Sequence, residues 1–264
     1  MSLATEFALG RYCPTRSPVH ALDPRVKTVA ALGFLGVTIA TQSPAAYLFL
    51  TAAVVAVVAS ARLSPSFVLR SVASLRWLVL VVFVAQGFFT PGTLLFEWLP
   101  RFTREGAVLG AIFAWRIALM VTTATVLTAT TSPMELGDGL ERLLGPLARI
   151  GVPVHEISMI SVIALRFVPT LMDETTRIIK AQTGRGARFD GGLVARARSA
   201  VPVLVPLFAS ALRRADDLAL AMDARCYRGA EGRTKYVELR LTGRDAAAIV
   251  VAAVIVTCAI VFSR

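Results

Sequence analysis

The sequence predicts an all-α integral membrane protein, with about five transmembrane helices and three amphipathic helices at the cytoplasmic surface. Three observations predict it. Of the 264 residues, 56% are hydrophobic and only 17% charged, whereas a soluble domain carries about a quarter charged residues. Mean hydropathy is +0.68. The apolar residues gather in stretches that approach the roughly 17 to 25 residues a bilayer-crossing helix requires.

Four such stretches precede residue 131: Thr28–Thr41, with room to start within Arg25–Lys27, then Ala45–Ala61, Trp77–Thr90 and Gly106–Thr130. A fifth, Ala246–Phe262, ends the chain. The third is short unless it starts nearer Val72, and the region 64–105 leaves room for a re-entrant or interfacial piece. The basic residues orient these spans. Four (Arg11, Arg16, Arg25, Lys27) precede the first span, none lies in the first loop, three (Arg62, Arg70, Arg76) fall in the second and two (Arg101, Arg104) in the third. Seventeen lie in 131–244. Cytoplasmic loops carry the Lys/Arg excess, so the N-terminus and 131–244 are expected inside and the C-terminus outside. The net charge of +11 then marks topology rather than nucleic acid. The first twenty residues lack an apolar core of signal-peptide type, and no leader is expected.

Within the fourth span Gly106, Gly110, Ala114 and Ala118 recur every four residues. Small residues at that spacing let helices approach closely in lipid, which reads as bundle packing. Arg116, in the same span, is costly in hydrocarbon unless it faces a partner or water. A structural ion pair, a carbonyl cluster and a functional role all fit that requirement.

Residues 131–244 combine seventeen basic and twelve acidic residues with long apolar faces. Three helices are expected. The first opens at Thr131-Ser132-Pro133-Met134-Glu135, where Ser132 suits the N-cap, Pro133 the first turn and Glu135 a capping box. It runs to about Ile150, before Gly151 and Pro153. The second runs from near Pro153 to about Arg188, with Ile157, Ile160, Ala164, Val168, Leu171, Thr175 and Ile178 forming an apolar stripe at three-four spacing. Pro169 should bend it. The third follows Asp190-Gly191-Gly192 and runs from about Leu193 to Tyr227, with bends expected at Pro202 and Pro206. Leu212, Leu218, Ala219 and Met222 continue its apolar face. The chain thus divides into 1–130, the N-terminal spans; 131–244, the cytoplasmic helices; and 245–264, the last span.

Each of the two long helices ends in an arginine between small residues: Gly184-Arg185-Gly186 and Ala224-Arg225-Cys226. Small neighbours leave a guanidinium unobstructed, and its planar fork suits a carboxylate or carbonyls on a partner. An arginine at a helix C-terminus also complements the macrodipole, and spacing alone leaves both readings open.

Four stretches resemble the transmembrane T component family (EcfT) of energy-coupling factor transporters, which import vitamins and transition-metal ions. They are GRYCPTRSPVHALDPRVK at residues 10–27, TSPMELGDGLERLLGPL from Thr131 followed by GVPVHE, ALRFVPTLMDETTRIIKAQTGRGARF from Ala164, and AMDARCYRG from Ala221. Several implications follow from the resemblance. The two long helices would be crossed coupling helices in a multi-pass protein of a prokaryotic cell membrane. Arg185 and Arg225 would dock into two ABC-type ATPase subunits. The chain would be a lever, passing ATP-driven motion to a separate substrate-binding membrane subunit, the S component. ATP and Mg would sit in the ATPases, with no cofactor on this chain. The family usually has Ala-Arg-Gly at both tips; this sequence departs at Gly184 and Cys226, and Gly184 should loosen its helix end by roughly 1 kcal/mol relative to Ala.

Other chemistry is poorly supported. There is no G-x-x-x-x-G-K-[ST] or G-x-G-x-x-G motif, so ATP is expected to be bound elsewhere. Cys13, Cys226 and Cys258 are scattered, and neither a disulfide framework nor a metal site is expected. Adjacent carboxylates such as Asp173-Glu174 and Asp216-Asp217 point in different directions on a helix and form no dyad. His155 has no evident catalytic partners, and His20 reads as a capping or interfacial residue; no catalytic residue is expected. The alternative reading, a self-contained secondary transporter or channel, would need several ionisable residues deep in the spans, and Arg116 is the one convincing case.

Overall fold

The computed structural model describes residues 15, 17–41, 43–93, 102–187, 192–229 and 242–263. Nine α-helices and a 3-10 turn, with no strand, make up the regular structure among these residues. They fall into two compact units, one drawn from Gly10–Leu140 with Leu239–Arg264, the other from Glu141–Glu238.

In the first unit, α1 (Pro24–Ala40) and α2 (Pro44–Ser60) are each 17 residues long, at the lower end of what spans a bilayer. Both place a proline in the first turn, where its missing N–H costs nothing. The first helix starts before Thr28 because Asp23 caps it, accepting from the Arg25 amide at 2.9 Å. Next come α3 (Pro65–Ser74) and α4 (Arg76–Phe89), a pair bent by 55° at Leu75 and together apolar enough to cross a membrane. The third expected span is therefore a broken helix. Just before the break the Ser71 and Ser74 hydroxyls donate to the Phe67 and Ser71 carbonyls at 3.1 and 2.7 Å, a back-bonding that favours bending.

The long helix α5 (Arg104–Thr130) packs on α4, and its small residues are the reason. Gly106 and Gly110 are buried. A methyl at Gly106 would run into the Gln86 carbonyl oxygen, and one at Gly110 would lie 3.0 Å from that of Phe83. Ala114 and Ala118 continue the line, half-buried. The core of the unit joins Val37, Tyr47, Leu50, Val54, Leu119 and Ala259, contributed by α1, α2, α5 and the C-terminal helix (Gly243–Ser263).

Arg116 is pinned inside this bundle. Its Nε donates to the Tyr47 hydroxyl at 2.9 Å, and its terminal nitrogen donates to the Thr41 carbonyl at 2.8 Å. Tyr47 also donates to Thr41, at 2.8 Å, and the guanidinium lies 5.0 Å from the Phe113 ring centroid. Thr41 caps α1, so the charge meets the negative end of a helix dipole. A carbonyl and a hydroxyl, with no carboxylate among the described partners, satisfy it.

Lys27 forms a second buried polar knot. It is 7% exposed, and its ammonium donates to the His20 and Thr130 carbonyls at 3.1 and 3.0 Å. Beside it the Asp245 carboxylate, 2% exposed, accepts from the amides of Asp23 and Thr242, both at 2.8 Å. This knot ties the starts of the first and last helices to the end of α5.

The second unit holds the 3-10 turn Gly145–Ile150, α7 (Val154–Gly184) and α8 (Leu193–Ala224). Helix α6 (Pro133–Leu144) spans the boundary in sequence, Leu140 belonging to the first unit and Glu141 to the second. Its capping box is formed as expected: the Ser132 amide donates to Glu135 at 3.1 Å, and the Glu135 amide donates to the Ser132 hydroxyl at 3.3 Å. The helix stops at Leu144 instead of Ile150, and the 3-10 turn completes the segment. That turn closes on Gly151 at φ +86, a conformation open to glycine. The last helix is α9 (Gly243–Ser263).

By length and composition, α5, α7 and Gly243–Phe262 of α9 could each cross a membrane, and the bent pair α3–α4 makes a fourth. Shorter α2 is apolar too. Helix α7 joins this set through its first half; Asp173, Glu174, Arg177 and Lys180 crowd its second.

Candidate functional site

Both long helices close in the same way. At the end of α7 the Ala187 amide donates to the Gln182 carbonyl at 3.0 Å, and the Gly186 amide to the Thr183 carbonyl at 3.0 Å. At the end of α8 the Tyr227 amide donates to Met222 at 3.1 Å, and the Cys226 amide to Asp223 at 2.9 Å. These paired six-to-one and five-to-two bonds are Schellman caps. They put Arg185 and Arg225 at the C-cap and the residue after each arginine in the left-handed region: Gly186 at φ +89 and Cys226 at φ +53.

The flanking positions thus have distinct roles. The residue after the arginine turns the chain, which glycine does without strain and cysteine does at about 1–2 kcal/mol. Gly184 and Ala224 are the last helical residues, and the space around Gly184 is open. Main-chain amides already serve the final carbonyls, so neither arginine is needed as a hydrogen-bonding cap. Both are exposed, and among the described residues neither guanidinium has an ion-pair or hydrogen-bond partner.

Three prolines lie within the helices that lead to these tips. Pro169 lies inside α7, and Pro202 and Pro206 inside α8, with each helix continuing past them. A helical proline leaves the carbonyl four residues earlier without its donor. Pro206 does this to Pro202, and the Gln182 side-chain amide of α7 donates to the freed carbonyl at 3.4 Å.

The apolar stripe of α7 is covered over only part of its length. Leu171, Thr175 and Ile178 are half-buried, while Ile157 and Ile160 are 53% and 65% exposed. On α8, Leu218 and Met222 lie half-buried. Leu212 belongs instead to a bare face with Leu204, Val205 and Phe208.

Sequence reasoning did not find the pairing of Asp23 with Asp245 or the lysine between three helix ends. Its signal was the dipeptide Asp23-Pro24, a capping residue before a first-turn proline; the acceptor 222 residues away left none. Nor did it find the Glu141 cluster at the start of α7. There one carboxylate oxygen lies 3.3 Å from His155 Nδ1, and the other accepts from Ser158 at 2.8 Å.

An all-α, multi-pass membrane protein with two long helices ending in bare arginines is the class that the fold and these tips define. Residues 15–236 match the family described as cobalt transport protein, CbiQ. The chain is 45% identical over 246 residues to the energy-coupling factor transporter transmembrane protein EcfT of Acidaminococcus fermentans, covering 92% of both chains. It is 46% identical over 242 residues to that of Thermanaerovibrio acidaminovorans, covering 91% of this chain and 90% of the relative. With that of Lactococcus lactis subsp. cremoris, identity is 39% over 259 residues and coverage 97% of both. The chain belongs to the EcfT family, the transmembrane components of multi-subunit energy-coupling factor transporters.

Proposed function

We propose that this chain is the coupling subunit of an importer for vitamins or transition-metal ions in a prokaryotic cell membrane, and that it catalyses nothing itself. On this reading residues 131–244 lie at the cytoplasmic face. Arg185 and Arg225 each seat in a groove of one ABC-type ATPase subunit, and ATP and Mg are held there. Closure of the ATPases displaces the tips. The long helices carry the displacement to a separate substrate-binding S component, which would rest on apolar surface such as that around Ile157, Ile160 and Phe208.

One observation carries the reading: two exposed arginines, their guanidinium groups without a partner among the described residues, stand at matching C-cap positions, each relieved of capping by the same main-chain bonds. A guanidinium presented in this way suits bidentate capture by a carboxylate or paired carbonyls. A self-contained transporter would use Arg116 in its path, but Tyr47 and Thr41 hold that side chain.

Cys226 supplies the test, being exposed and adjacent to Arg225. With Cys13 and Cys258 changed to serine, a maleimide should label Cys226 in the isolated chain in detergent and label it slowly in the complex with both ATPases. Equal labelling with and without the ATPases would contradict docking at this tip.

A further inference from the structure

Helices α7 and α8 meet through a small set of polar contacts whose placement is unusual. The Arg214 guanidinium donates to the Glu174 carboxylate at 2.6 Å, an ion pair between the two helices. Ser210, 8% exposed and one turn before Arg214, stands beside the same carboxylate. Eight residues further along α7, Gln182 reaches the Pro202 carbonyl. As numbers rise on α7 from 174 to 182, their partners on α8 fall from 214 to 202, so the helices run antiparallel. Arg185 stands 11 residues beyond Glu174, and Arg225 stands 11 beyond Arg214. At 1.5 Å per residue each arm is about 16 Å long, and the arms leave the ion pair in opposite directions.

Equal arms about a charged contact are the layout of a pivot. Apolar contacts between helices slide, because many side-chain registers have similar energy. A carboxylate gripped by a guanidinium, with a hydroxyl beside it, has few equivalent positions, since leaving that partner exposes an unpaired group. The side chains are 38% (Arg214) and 24% (Glu174) exposed.

Resting on the reading that Arg185 and Arg225 dock to the ATPases, we propose that Glu174 and Arg214, supported by Ser210, form the fulcrum of the two helices. They are positioning residues. They hold the crossing point fixed, so that displacement of one tip becomes rotation of the pair rather than slippage.

The test uses the full chain with its two ATPases in lipid nanodiscs. Spin labels are placed at Lys180→Cys and Leu220→Cys, one exposed position on each arm, in a background of Cys13→Ser, Cys226→Gly and Cys258→Ser. Inter-label distances are measured by pulsed electron spin resonance, and retention of the ATPases is measured on the same preparations. The parent should give one narrow distribution that shifts as a whole on adding MgATP. Glu174→Arg and Arg214→Glu singly should each broaden it and abolish the concerted shift while the ATPases are retained. The swapped pair, Glu174→Arg with Arg214→Glu, should restore both narrowness and shift. A narrow, shifting distribution in the single variants overturns the fulcrum. So does failure of the swap to rescue while the helices remain folded by circular dichroism. Loss of the ATPases on Arg185→Ala with Arg225→Ala is read separately and decides the docking reading alone.

Discussion

At φ +53 Cys226 adopts the backbone that Gly186 adopts at φ +89 in the matching place on the other long helix. Relief of that strain makes Cys226→Gly stabilising by about 1 kcal/mol, whereas Gly186→Ala should cost about the same. Thermal unfolding of the chain in detergent checks both, and a destabilised Cys226→Gly would refute the cap. The arginines and small neighbours of the two tips were legible in the sequence. The reason for the small neighbours was only half legible: glycine after an arginine announces a left-handed cap, and cysteine does not. Arg116 teaches the converse. Sequence showed a charge needing partners but not that they would be a hydroxyl and a helix-end carbonyl. Because the charge stays when the acceptor leaves, Tyr47→Phe should destabilise by about 1–3 kcal/mol. Arg116→Met, which removes the charge itself, should cost less. The same melts rank the two, and the reverse order contradicts the assignment.

At the scale of elements, most helices were readable from apolar runs, proline starts and capping residues. The capping box at Ser132 and Glu135 formed as its spacing requires. Breaks were harder. The bend at Leu75 involves no glycine or proline, and its serines looked like ordinary helix residues. The first expected cytoplasmic helix splits at Gly145, where Pro146 stands in the first turn of the 3-10 segment. Glycine packing gives a sharp contrast between two helices. Gly36 on α1 has open space around its missing methyl, while Gly106 on α5 faces the Gln86 backbone. Gly36→Ala should therefore stabilise by about 0.5–1 kcal/mol, and Gly106→Ala should destabilise by about 1–3 kcal/mol through overpacking. Equal effects in unfolding experiments would mean that α4 and α5 do not approach this closely.

For the whole molecule, the residues that close the membrane unit come from far apart in sequence. Asp245 holds the amide of Asp23, and Lys27 holds the end of α5. No local pattern announces a contact of this range, which is why the N-terminal stretch could be matched to a family without its work being understood. Asp245→Ala strips acceptors from two amides and should cost about 1–3 kcal/mol for each one left buried, lowering the melting temperature of the purified chain; an unchanged melt would remove the knot from the account. The tips carry the largest claim. The most direct measurement is retention of the two proposed ATPase partners by a tagged chain carrying Arg185→Ala and Arg225→Ala, purified from cells that also express the proposed S component. The account predicts weakened retention in either single variant and loss in the double, with the S component still bound and the chain still helical. A double variant that keeps both ATPases at the parent level would contradict it.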